Sequence, residues 1–269
     1  MALFNSVSLR LAMHLPLSLA LFSGICQANA LTDWQDPEYI QRAFNEVALK
    51  NEYQKTDLRI VKWQVPIIYQ LSYEHLQGPI PLIEEMAQVQ MNHLASITNH
   101  AIKQSHLKDK PNFRIILTKD AYFKTTIEKW AGSKMGYLAK ESNCIASFKR
   151  NQHHEIIQAS VVIPVDHAMS RGLLPACIVE ETTQALGLPN DSDWVNPSIA
   201  NDASKLDYLT GLDYVMLKLL YDPAIKAGMS FSQSQPILKA SIQKMLKDQT
   251  IQNAYQSVKT GGLYQFQTP

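Results

Sequence analysis

Apolar side chains recur at helical spacing in Ile40, Phe44, Val47 and Ala48, which predicts a helix over residues 37–53. Asp36 can cap it, and Pro37 suits its first turn. Residues 58–73 are rich in Ile, Val, Trp and Tyr and predict one long strand, bent at Pro66. Beyond the turn Gly78-Pro79, helical spacing returns over residues 80–103 through Ile83, Ala87, Met91, Leu94, Ile97 and Ile102. Residues 112–118 predict a short buried strand, and residues 119–131 a helix ending near Gly132. Residues 142–149 and 155–166 predict a hairpin over the polar turn Arg150-Asn151-Gln152-His153-His154. A helix over 173–186 follows, stopped by Gly187 and Pro189, then a polar loop to residue 205. Residues 210–221 and 236–246 predict two more helices, the second being the last substantial one. This order predicts an α+β fold: a mixed or antiparallel sheet in an N-terminal lobe, then a helical C-terminal half.

The first residues stand apart from that pattern. Arg10 precedes an apolar run over residues 11–25, and Ala28-Asn29-Ala30 is a small-x-small cleavage site. Residues 1–30 therefore read as a signal peptide, and the chain as exported, to the periplasm or the medium. Ile25 is bulky where lipoprotein processing before Cys26 takes Gly or Ala. Residues 31–269 are then expected to form one domain, with no transmembrane span after cleavage. The formal net charge of the whole chain is +1, and removal of Arg10 brings it to zero. Nothing in that balance points to nucleic acid as a partner. Export also predicts a disulfide between Cys144 and Cys177, the two cysteines left after cleavage.

Candidate chemistry concentrates in Glu180-Glu181-Thr182-Thr183-Gln184-Ala185-Leu186-Gly187-Leu188-Pro189-Asn190. Its cadence is that of a zinc-peptidase helix, H-E-x-x-H-x-L-G-L-x-H, with each histidine replaced. On a helical wheel, Leu174, Ile178, Val179, Thr182, Ala185 and Leu186 share one side, and Cys177, Glu180, Thr183 and Gln184 the other. An ordinary amphipathic helix would bury the first side and leave its acids in water. None of the eight histidines follows the motif, so no downstream histidine can serve as a third ligand. Glu ligates zinc well, whereas the neutral oxygens of Gln and Asn are weak donors. The set disfavours zinc and leaves two alternatives: a hard divalent cation, aided by Asp191 or Asp193, or no metal at all.

The run from Cys177 to Asp193 resembles the signature of a bacterial exported family of unknown function, near the zincin-like (peptidase-MA-like) metallopeptidases. Further matching segments are Asn143-Cys144, Val161-Val162-Ile163-Pro164-Val165-Asp166, Leu209-Thr210-Gly211-Leu212-Asp213 and Leu219-Leu220-Tyr221-Asp222-Pro223. The resemblance spans about residues 63–229 and implies a zincin-like fold, with Glu181 in the general-base position. It puts Glu180, Gln184 and Asn190 in the ligand positions. Ser198-Ile199-Ala200 resembles the Ser-Ile-Met turn beneath some zincin sites, with Ala200 in place of Met.

Two functions stand against each other. One is a non-zinc binding or structural module of the cell envelope, holding a peptide, a glycan or an envelope protein. The alternative is a peptidase-like hydrolase, with Glu181 as general base and Glu180 and Gln184 as unusual ligands or acid/base partners.

Overall fold

The computed structural model describes residues 33–51, 58–201 and 203–267. The leader expected over residues 1–30 lies outside the described residues. Helix α1 (Pro37–Leu49) starts where the Asp36 carboxylate accepts from the Tyr39 amide at 2.8 Å. It stops at Leu49, short of the expected end. The single strand expected over 58–73 is two strands, β1 (Lys62–Trp63) and β2 (Ile67–Tyr73). Pro66 has no amide hydrogen to give a neighbour, so it separates them. Helix α2 (Pro81–Thr98) ends at Asn99, whose φ of 52° is left-handed. Residues 102 and 103, expected in that helix, belong to β3 (Ile102–Gln104). Next come β4 (Phe113–Thr118), α3 (Phe123–Trp130), β5 (Ile145–Arg150) and β6 (Glu155–Pro164).

The sheet is mixed and largely parallel, in the order β1-β6-β4-β2-β3 with every neighbour parallel. Only β5 runs antiparallel, forming the expected hairpin with β6. Residues 159–162 of β6 pair with both β4 and β5, so β5 occupies the side of β6 away from β4. Its outer edge carries no further strand among the described residues. The central strands are buried on both faces and read as continuous apolar runs. Ile115, Leu117, Val161 and Ile163 belong to the larger core. Their alternates Ile116 and Val162 join Ile145, Phe123 and Ile127 in a second cluster beneath α3.

Helices α4 (Val165–Ser170) and α5 (Leu174–Gln184) follow β6 directly. Helix α5 packs on β5, β6 and α2. The Cys144–Cys177 disulfide joins the residue before β5 to the first half of α5, with a Cα–Cα distance of 5.8 Å. By loop closure alone, a bridge of this span contributes roughly 3–4 kcal/mol. The helical half continues with α6 (Gly211–Leu220), α7 (Phe231–Lys247) and α8 (Thr250–Val258). Helix α7 begins earlier than its apolar spacing suggested, because Ser230 and Gln233 form a capping box. The unexpected α8 packs against α6 and α7. No helix among the described residues is long and apolar enough to cross a membrane.

Candidate functional site

Helix α5 carries the motif, and it is covered nearly all round. Cys177, Thr183 and Gln184, on the side opposite the apolar stripe, are buried, and Glu181 is only 5% exposed. Glu180 is half-buried. The acids therefore do not form the solvated face of an ordinary amphipathic helix. Thr182 and Thr183 are satisfied locally, their hydroxyls donating to the Ile178 and Val179 carbonyls at 2.6 Å.

The exit from α5 is fixed from outside. Trp63 Nε1 donates to the Ala185 carbonyl and the Tyr221 hydroxyl to the Leu186 carbonyl, both at 2.9 Å. These bonds occupy carbonyls that a helix end leaves without an internal partner. Gly187 then turns the chain at φ +115°, and a Cβ there would drive into the Val61 carbonyl. The turn brings Asn190 back against α1, where its amide donates to the Val47 carbonyl at 3.2 Å.

Two of the motif positions meet there on the residue that follows, Asp191. Gln184 Nε2 donates to Asp191 Oδ1 at 2.7 Å, and Asn190 Nδ2 donates to the Asp191 carbonyl at 2.7 Å. Asp193, expected nearby, is exposed. Among the described residues, no three His, Cys, Asp or Glu side chains group so as to hold a metal ion. The donor set does not fit zinc: two of the three expected ligand positions are neutral amides, and each directs its nitrogen to Asp191.

Gln184 lines two spaces. The inner one, about 10 Å³, is bordered by Val47, Glu180, Thr183, Ile199, Ala200 and Asp213, among others. The Ser198-Ile199-Ala200 turn thus lies against the motif helix, and Asp213 holds it. The Ser198 hydroxyl donates to Asp213 Oδ1 at 2.5 Å and the Ile199 amide to Oδ2 at 3.2 Å. The Thr210 amide and hydroxyl donate to the same oxygen at 2.7 and 2.8 Å. Burial pushes the Asp213 carboxyl above the ordinary carboxylate range, and these donors oppose the shift.

The outer space is a cleft of about 490 Å³. Its walls come from the end of α1, the approach to β1, the loop after α3, strand β5, and Gln184 with Pro189. Glu180 and Glu181 are not among its lining residues. Lys50, Arg59, Lys134 and Arg150 are, and sequence reading missed all four. They lie far apart in a charge-balanced chain and form no run or motif. Asp213 was within reach, because Thr210-x-x-Asp213 is a capping-box pattern, and the box is formed.

A mixed α/β protein with a buried motif helix beside an open cleft is the class these features define. The chain matches the DUF2927 family, described as a protein of unknown function, over residues 37–240, and it belongs to that family. No curated protein and no solved structure matches it.

Proposed function

We propose that this chain is an exported binding module with a zincin-like fold, whose cleft beside the motif helix holds a ligand without zinc chemistry. The order sheet, motif helix, helices supports the fold reading, as does the Ser198-Ile199-Ala200 turn packed against α5. The apolar run over residues 11–25 and the Cys144–Cys177 disulfide support export to an oxidising compartment.

One observation carries the binding reading: the cleft of about 490 Å³ opens at Gln184, the second ligand position of the motif. That volume falls inside the roughly 300–1,000 Å³ of ordinary ligand sites. The hydrolase alternative lacks a comparable support, since Glu181 borders neither space and its position is packed.

Affinity selection from a random heptapeptide pool, read by mass spectrometry, tests the reading. The protein retains a reproducible subset, and Ser133→Trp, which fills the cleft mouth from an exposed position, retains none of it. Retention unchanged by Ser133→Trp rejects the cleft as the site, and no subset retained from this pool or from a matching glycan pool rejects the binding module. One zinc per chain, lost in Glu180→Ala, would instead restore the metallopeptidase.

A further inference from the structure

The charged side chains that line the cleft have one sign among the described residues. Among the described residues its lining holds Lys50, Arg59, Lys134 and Arg150 and no Asp or Glu. The chain as a whole has 25 basic and 24 acidic side chains, so composition does not produce this bias. The four cations also come from four separate segments, converging on one concavity.

Three of them are positioned by neighbours. Lys50 Nζ donates to the Glu46 carboxylate at 2.7 Å, and Arg59 Nη1 to the Gly228 carbonyl at 2.8 Å. Arg150 Nη1 is held against His154 Nδ1. Between the cations, Leu49, Val61, Met135 and Phe148 supply apolar wall. A concave site of one charge sign focuses its field on ligands of the opposite sign. Its apolar wall requires that the ligand carry hydrocarbon as well as charge.

Strand β5 adds a main-chain element. Ala146, Ser147 and Phe148 of β5 line the cleft, and no strand covers the outer edge among the described residues. An open edge offers amides and carbonyls in the register of an extended polypeptide, which a sugar chain does not match.

We infer that the cleft binds acidic peptide segments. The cations meet the carboxylates, the apolar wall takes the intervening side chains, and the β5 edge holds the backbone. This rests on the binding reading above and names its ligand class.

The test is fluorescence anisotropy with a labelled heptapeptide containing three glutamates, beside versions with Gln or Lys at those positions. The Glu peptide binds at least about tenfold more tightly than the Gln peptide, and the Lys peptide does not bind. The preference shrinks as salt rises from about 50 to about 500 mM. Lys134→Glu, at an exposed position, weakens the Glu peptide about tenfold and changes the Gln peptide less than about twofold. Equal binding of Glu and Gln peptides, blocked by Ser133→Trp, would overturn the acidic class and leave the binding module standing. Binding of an oligouronate but of no peptide, with the same sensitivity to Lys134→Glu, would overturn the peptide. No binding of any acidic probe, with a neutral subset retained from the random pool, also overturns the inference.

Discussion

The inner side of Gln184 holds about 10 Å³ and borders two carboxylates, Glu180 and Asp213; the outer side holds about 490 Å³ and borders four cations. Inside, polar groups are matched to one another: Asp213 alone accepts from Ser198, Ile199 and Thr210. Outside, Lys134 and Ser133 stand exposed on a loop. The inner side has the character of a brace, and the outer side that of the proposed binding cleft. The motif of α5 therefore marks a place in the fold, while the proposed binding site lies one side chain away. Gln184 belongs to both regions, which is why the motif points to the cleft without describing it.

The comparison breaks most directly at Asp213. Asp213→Ala strands the Ser198 hydroxyl and the Ile199 and Thr210 amides in a buried setting. Leaving these buried donors without their acceptor costs about 3 kcal/mol. Urea unfolding at neutral pH measures it. A loss under about 1 kcal/mol would mean that the inner side is not a brace.

How far the sequence disclosed this division depends on the range of the interactions. Helices α1 and α5 and the β5–β6 hairpin were legible because apolar spacing, caps and turn residues are local signals. Ile102 fitted a helical stripe by spacing alone. Only Asn99, in the left-handed region, ends α2 and frees Ile102 for the sheet. The Cys144–Cys177 pairing was legible because the expected removal of residues 1–30 leaves two cysteines. The burial of Glu181 was not, because it arises from β5, β6 and α2 closing over a helix whose own sequence is half polar. The cationic cleft was invisible for the same reason: Lys50, Arg59, Lys134 and Arg150 share no segment and meet only in the folded chain.

Acid sharpens the contrast between buried polar sites. His93 is 7% exposed, and its Nε2 has no hydrogen-bond partner among the described residues. Gly261 and Gly262 pack on its ring. Burial lowers its pKa to about 4 from the ordinary 6.5. Between those values the unfolded chain binds a proton that the folded chain does not, so stability falls as pH falls from 6.5 to about 4. The loss is roughly 3 kcal/mol across the window. Asp213 acts in the opposite sense. Its raised pKa lets the folded state take up a proton before the unfolded one, so acidification relieves its burial penalty. Urea unfolding near pH 7 and near pH 4.5 therefore shows an acid response that His93→Gln shifts toward stabilisation and Asp213→Asn shifts toward loss. An acid response unchanged in His93→Gln would place the sensitive group elsewhere.

The smallest expected effect decides whether the outer side is a receptor at all. Residues kept for packing lose stability when truncated, whereas residues kept for a ligand do not. Lys134 is exposed on the loop after α3, so truncation creates no cavity and strands no buried partner. Lys134→Ala should leave the unfolding free energy from urea titration within about 0.5 kcal/mol of the parent. The same variant should weaken the acidic heptapeptide several-fold, since one cation of the cleft is gone. A stability loss approaching that of Asp213→Ala would turn the cleft into a second brace. The two sides of Gln184 would then differ in volume and charge but not in kind.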